Sequence, residues 1–386
     1  MTEKKIKLVA IAKDEAAYIP EWVFHHLYFG FDAIEVYVNF TSDKSYDVLN
    51  KIQEHYPVQY RNAEYLTSAD YNPQFDYLLA PEYIKKNTFQ SRAYAELLSR
   101  AKADGYSHVM FLDLDEYWTP VDFTKHIKDV LDELGDPDDV PFKWKNKVGE
   151  TEPFGRPFKS QIRYLESKVP KTVVKTDVDA KLMNSHRCSI TRSNGRKPVR
   201  IGQVTNAFIL HRFQRSELEY LSLLGRGDPK FAGKFGLKFN RGGYIGVEKS
   251  VDLSFDAQMI DGYDQAYRTF VEKTAIADLL NDGQAFVSER ANQVVEYIQD
   301  TIKVNKIARK VIRGLALENE IYSALDESRG LKASEIETIK KIALKLESND
   351  LGSAYELMKI AYAFKPDGTT IAKKVRQYAL KLGNDG

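Results

Sequence analysis

Apolar and polar positions along the first half of the chain fall into short blocks that switch between two periods. Ile6 to Ala12 is an apolar run of strand length, and Lys13-Asp14-Glu15 follows at its C-terminal end. Helical spacing then runs through Trp22, Leu27 and Phe29 to Gly30. Ile34 to Val38 reads as the next strand, followed by the polar loop Asn39-Phe40-Thr41-Ser42-Asp43, a helix from about Tyr46 to His55 and a third short strand at Val58-Gln59-Tyr60. Strands alternating with helices predict βαβ units and a mostly parallel sheet. Parallel strands end on one side, so these polar loops share the sheet edge where open α/β folds bind ligands.

Asn62 to Asn87 is rich in tyrosine and proline and reads as a long loop. Thr88 to Ala103 is helical, carries Gln90 and Arg92 near its start, and is ended by Gly105. The planar fork of Arg92 suits phosphate oxygens. Then comes Val109-Met110-Phe111-Leu112-Asp113-Leu114-Asp115-Glu116-Tyr117-Trp118-Thr119-Pro120, an apolar run that climbs to an acidic cluster and stops at a proline. It reads as a buried strand with chemistry at its C-terminal end. Residues two apart on a strand point the same way, so Asp113 and Asp115 are expected to present their carboxylates together while Leu114 packs inward. Two adjacent carboxylates repel unless a cation lies between them. Oxygen ligands suit Mg²⁺ or Mn²⁺, with phosphate oxygens completing the shell.

Further along, Val121 to Leu134 is expected to be helical, with a break at Gly135-Asp136-Pro137 and a strand from Val140 to Trp144. Lys147 to Lys159 is a loop rich in acid, aromatic and glycine, and it holds Glu150 and Glu152. Thr172 to Thr176 and Ala180 to Met183 read as strand pieces, followed by His186. Val204 to Leu210 is another apolar strand, and it ends at His211. A neutral imidazole pairs naturally with two carboxylates on Mn²⁺, which makes His211 and His186 candidate ligands. Ser216 to Leu224 is helical. Gly225 to Gly246 carries Arg226, Lys230, Lys234, Lys238 and Arg241; it is either a solvated loop or a basic lid that folds over phosphates. From Gly262 onward helical patterns dominate. Leu351 to Leu382 resembles one tetratricopeptide-like hairpin with Pro366 at its turn, which must stack on the helices before it. The expected division is an α/β domain over 1–250 and a helical domain over 251–386.

Composition narrows the function classes. Lys plus Arg number 56 and Asp plus Glu 55, so bulk affinity for nucleic acid is not expected. The single cysteine, Cys188, excludes an internal disulfide framework and a multi-cysteine zinc site. No run of about 18 apolar residues is present, and the first apolar run, about six long, is too short for a signal-peptide core. The expectation is a cytoplasmic protein, or one peripheral at the inner face of the membrane, with no transmembrane span.

Several blocks in order carry a family resemblance. Val9-Ala10-Ile11-Ala12-Lys13-Asp14-Glu15, Glu21-Trp22, His26, Gly30, Asp32 and Ser42-Asp43 resemble the opening of family-2-like glycosyltransferases, in particular the family-92 branch. Gln90, Ala93 and Tyr94 resemble its next helix, and Phe111-Leu112-Asp113-Leu114-Asp115-Glu116-Tyr117 its Asp-x-Asp-Glu-aromatic signature. His211, Ser216, Glu219 and Arg226-Gly227 resemble its later elements. The likeness covers roughly residues 5 to 230. It implies a GT-A fold, Rossmann-like, and inverting transfer of a sugar from a uridine diphosphate sugar to a glycan or lipid-linked acceptor in surface polysaccharide synthesis. It also implies that Asp113 and Asp115 hold Mn²⁺ or Mg²⁺ against the donor diphosphate, with His211 or His186 as the late metal contact. Asp14, Glu15, Asn39 and Asp43 would line the nucleoside pocket, and Lys13, Gln90, Arg92 and Arg226 would be further substrate contacts. The family-2 pattern places a catalytic base in a Glu-Asp motif that has no clean copy here, so Glu150 and Glu152 are the candidates. Of two other readings, a haloacid-dehalogenase-type phosphotransferase carries its Asp-x-Asp on the first strand, unlike this chain. An inactive scaffold would not need Asp113 and Asp115. The helical C-terminal region is expected to serve oligomer or partner contacts.

Overall fold

The structure, a computed structural model, describes residues 4–68, 89–177, 179–184, 186–191, 199–227, 238, 241–301, 310–316, 333–366 and 368–382. Most of the loop expected over 62–87 lies outside them, as do Lys230 and Lys234 of the basic loop. The chain forms two compact units, Met1–Thr301 with Lys306–Val311, and Ile302–Asn305 with Ile312–Gly386.

The first unit opens with β1 (Ile6–Ala12), α1 (Ile19–Tyr28), β2 (Ala33–Val38), α2 (Ser45–Gln53) and β3 (Val58–Asn62). Next come α3 (Phe89–Ala103), β4 (His108–Phe111), β5 (Glu116–Pro120), α4 (Ile127–Glu133), β6 (Asp139–Val148) and β7 (Gln161–Lys175). β8 (Asp179–Asn184) and β9 (Arg187–Thr191) pair as a hairpin, and β10 (Ala207–His211), α5 (Glu217–Gly225) and β11 (Val251–Ser254) follow. Among the described residues nine strands form one sheet in the order β3-β2-β1-β4-β7-β6-β10-β5, with β11 paired to β7. All but β7 and β5 along that path run one way. The sheet is therefore mostly parallel, as expected. β2 and β4 are buried throughout and β1 nearly so, which explains their unbroken apolar runs.

The stretch from Val109 to Pro120 departs from expectation: it is two strands. β4 stops at Phe111 in the middle of the sheet, and β5 begins at Glu116 and pairs antiparallel with β10 at the far edge. The turn between them satisfies its own backbone. Asp113 N–H donates to the Glu116 carboxylate at 3.0 Å, and Glu116 N–H donates to the Asp113 carbonyl at 3.0 Å. The buried Trp22 indole N–H donates to the carbonyls of Asp113 and Glu116, at 3.1 and 2.8 Å. Asp113 and Asp115 therefore stand on a pinned turn, and strand alternation does not orient them.

Other differences follow from the same local blindness. The helix expected over Val121 to Leu134 is confined to Ile127–Glu133, because Phe123 sits at φ 55° and turns the chain first. The strand piece at Thr172 to Thr176 is the end of β7, which begins at Gln161 and pairs along β6.

Helices α6 (Ala257–Thr274) and α7 (Ala277–Thr301) also belong to the first unit. Strands give way to helices after β11, which ends at Ser254, and the compact unit runs further. α6 buries Tyr263 and Phe270 against Phe24, with ring centroids 5.0 and 5.7 Å away. α7 buries Val287, Ala291, Val294 and Ile298. It lies so close to the loop after β1 that a Cβ on Gly283 would stand 2.7 Å from the Ala17 nitrogen. A chain stopped after Val311 is accordingly expected to fold and melt cooperatively. One stopped after Asp261 removes several buried large side chains at roughly 3–5 kcal/mol each, beyond a total stability of about 5–15 kcal/mol, and should yield no folded protein. Circular dichroism and size-exclusion chromatography check both.

The second unit contains α8 (Ala333–Leu346), α9 (Leu351–Phe364) and α10 (Thr369–Lys381). Its core alternates small and large residues: Ala343, Ala354 and Ala361 with Ile336, Met358, Ile371 and Tyr378. Asp350 caps α9 by accepting the Ser353 N–H at 3.0 Å. The hairpin expected from the sequence is thus α9 and α10, stacked on α8. Among the described residues no helix is long and apolar enough to cross a membrane.

Candidate active site

The C-terminal rim of the parallel strands encloses a cleft of about 580 Å³. Ile11, Ala12, Lys13 and Glu15 come from the end of β1, Asn39 from the end of β2, and Phe89 and Gln90 from the start of α3. Asp113, Leu114 and Asp115 come from the pinned turn, Trp144 from β6, His186 from the turn of the β8–β9 hairpin and His211 from the end of β10. Arg226, Lys238 and Arg241 line the same cleft from the segment after α5.

One wall gathers groups that could hold a cation. One ligand atom from each of Asp115, Glu116 and His211 lies within 4.8 Å of the others. His211 Nδ1–H donates to Asn146 Oδ1 at 3.1 Å, which turns Nε2 toward Asp115 Oδ2, 3.7 Å away. The Trp144 ring packs on His211 with centroids 4.1 Å apart and fixes the imidazole from the other side. Glu116 is fully buried, and its Oε1 has no hydrogen-bond partner. Burial alone would raise the Asp115 carboxyl, but His211, Arg215 and Arg241 outweigh it and hold the group well below the carboxylate range. Burial drives Glu116 well upward, with Lys171 opposing. A bare oxygen on a buried acid is costly until a positive charge reaches it. Two carboxyl groups and one imidazole are a ligand set that suits Mn²⁺ or Mg²⁺.

The other wall is cationic. Arg226 Nη1 is bonded to the Glu15 carboxylate, with Arg215 Nη2 3.4 Å from the same group. Burial, then Arg226 and Arg241, bring the Lys238 ammonium down to about 7. Arg241 Nε is buried without a hydrogen-bond partner. Like charges gathered at a cleft without enough acid to match them favour an anion between them.

The other residues singled out in the sequence divide in two. Lys13, Glu15, Asn39, Gln90, Asp113, Arg226, Asp115, His211 and His186 all line this cleft. Asp14 sits at φ 53° and turns its carboxylate to Arg290 of α7 at 2.9 Å and to the Ser42 N–H at 2.8 Å. It faces a smaller neighbouring cavity of about 260 Å³. The Asp43 carboxylate ties two loops together by accepting from Ala16 N–H at 2.7 Å and Ser45 N–H at 2.9 Å. Arg92 donates to the Leu66 carbonyl at 3.0 Å and is not among the residues lining the cleft.

Glu150 and Glu152 line a separate cavity of about 230 Å³. Glu150 is forked by Arg212 at 3.0 and 2.5 Å, with Lys147 at 3.3 Å. Burial pushes its carboxyl up, but those two cations prevail and hold it at about 2. A group so acidic is a weak proton acceptor. Glu152 is exposed and paired with Lys159 at 2.7 Å.

Sequence reasoning missed Glu116 as a possible ligand, and Lys171 altogether. The acidic run itself could have flagged Glu116. Nothing in the local pattern around Val169-Pro170-Lys171-Thr172 points to the cleft.

No family model matches this chain, and no curated protein does. Solved structures of S. aureus TarS are similar to it. One TarS structure has 14% identity and a TM-score of 0.25, over 45% of this chain and 28% of that one. TarS 1–349 has 11% identity and a TM-score of 0.28, over 98% of this chain and 92% of that one. TarS 1–349 in complex with UDP gives 10% identity and a TM-score of 0.26 over the same shares. At this level of similarity the function rests on the chemistry of the cleft itself.

Proposed function

We propose that this chain is a metal-dependent glycosyltransferase that moves a sugar from a nucleoside diphosphate sugar, a uridine diphosphate sugar first, to a glycan or lipid-linked acceptor in surface polysaccharide synthesis, with inversion. One observation carries the reading: Asp115 and His211, which with the buried Glu116 beside them could hold a cation, line the same cleft as Arg226, Lys238 and Arg241. A diphosphate is the group that satisfies both walls, since its oxygens can complete a divalent ion's shell and accept from guanidinium and ammonium donors.

Asp115, Glu116 and His211 would hold Mn²⁺ or Mg²⁺, whose contribution when bound is to neutralise charge that builds on the departing nucleotide. Arg226, Lys238 and Arg241 act on the same charge from the other wall, already oriented before the bond breaks. Asn39, Gln90 and the Lys13 strand end are placed to bind the nucleoside. Trp144 lines the cleft beside His211 and packs on its ring.

Purified protein with Mn²⁺ is expected to melt at higher temperature with one member of a panel of nucleotide sugars and to release nucleoside diphosphate from it. Release of inorganic phosphate, or no shift and no turnover across the panel, would refute the reading. The anomeric configuration of the product, read by proton NMR, tests inversion.

A further inference from the structure

Lys171 projects from β7, opposite Phe142 of β6, and its side chain is fully buried. Its Nζ stands 3.0 Å from Asp113 Oδ2 and 3.1 Å from Glu116 Oε2. The second Asp113 oxygen, Oδ1, accepts the Tyr94 hydroxyl at 3.3 Å. Both oxygens of the first acid of the Asp-x-Asp pair are therefore engaged by protein donors. Asp115 differs, since its Oδ2 faces His211 Nε2 at 3.7 Å. Glu116 is divided: Oε2 takes Lys171 and the Asp113 N–H, while Oε1 has no hydrogen-bond partner.

We propose that Lys171 is a positioning residue that keeps Asp113 out of the divalent cation's ligand shell and leaves Asp115, Glu116 and His211 to hold the ion. This rests on the metal-dependent reading above. Without Lys171 the donor that engages Asp113 Oδ2 is gone, and Asp113 is free to swing to the ion.

The test is Mn²⁺ uptake by the full chain without donor, followed by the loss of the free-ion EPR signal. Asp113→Asn should bind within about threefold of wild type, whereas Asp115→Asn should lose at least about 10–100-fold. Lys171→Met should bind Mn²⁺ about tenfold more tightly, because a nearby like charge is gone and a ligand is released. Lys171→Arg should return to wild-type affinity. A lysine serving only to hold the fold would give Lys171→Met equal or weaker uptake, and that result overturns the proposal. So does a folded Asp113→Asn that loses Mn²⁺ as fully as Asp115→Asn, a comparison that stands even if Lys171→Met does not fold. Failure of the metal-dependent reading looks different: the wild-type protein itself would take up no Mn²⁺.

Discussion

Asp115→Asn is expected to abolish manganese-dependent binding of the donor and to cut turnover by on the order of 10²–10³. The residue leaves the pinned turn at the sheet rim, and its backbone carbonyl is held by the Arg212 N–H at 2.8 Å, so the substitution should not disturb the turn. What it removes is the charge that His211 faces at 3.7 Å. Asparagine keeps the shape but offers the cation a neutral oxygen in place of an anionic one, and a hard divalent ion gains far less from it. Isothermal titration with the nucleotide sugar, with and without Mn²⁺, reads the effect. Wild-type affinity in the presence of manganese would contradict the role given to Asp115. A fall in affinity equal in both conditions would assign it to substrate contact alone.

Glu150→Gln is expected to lower stability by about 3 kcal/mol, since removing one partner of a buried ion pair leaves the other charge uncompensated. Arg212 is 2% exposed and Glu150 6%, and the guanidinium also donates to the Gly155 carbonyl at 2.8 Å, so solvent cannot replace the lost partner. The corresponding fall in melting temperature is roughly 5 °C for a unit of this size. A catalytic base would behave differently, with a loss of about 10²–10⁴ in kcat at little cost to melting. The structure sets Glu150 outside the cleft, so kcat below the melting range should survive. The pH dependence has a definite sign. The carboxyl is depressed from the ordinary 4.5 to about 2, so the unfolded chain takes up a proton first as pH falls. The pair's contribution is complete above about 4.5 and is lost progressively as pH drops toward 2. Thermal melts of wild type and Glu150→Gln between pH 2 and 7 should converge at the acid end; a constant gap would refute the linkage.

Much of the site was legible because its residues follow strands. Lys13 and Glu15 after β1, Asn39 after β2 and His211 at the end of β10 were placed by one rule, that parallel strands end on one side, and all of them line the cleft. The rule misled where a strand was read too long. Asp113 and Asp115 do reach the rim, but a turn fixed by Trp22 and Glu116 orients them. Glu150 shows the complementary error: an acid in a glycine-rich loop looked available, and only its neighbours reveal that it is occupied.

The order of apolar and polar blocks determined a mostly parallel sheet, a rim lined with acids and imidazoles, and helices toward the C-terminus. Those features depend on periods of two and 3.6 residues, which neighbouring positions carry within themselves. The tertiary structure decided which charges meet. Lys171 reaches Asp113 across 58 positions, Arg212 reaches Glu150 across 62, and Arg290 reaches Asp14 across 276. A buried charge is stable only beside its partner, and a separation that long is closed by the packing of the whole sheet and its helices, which no local pattern encodes.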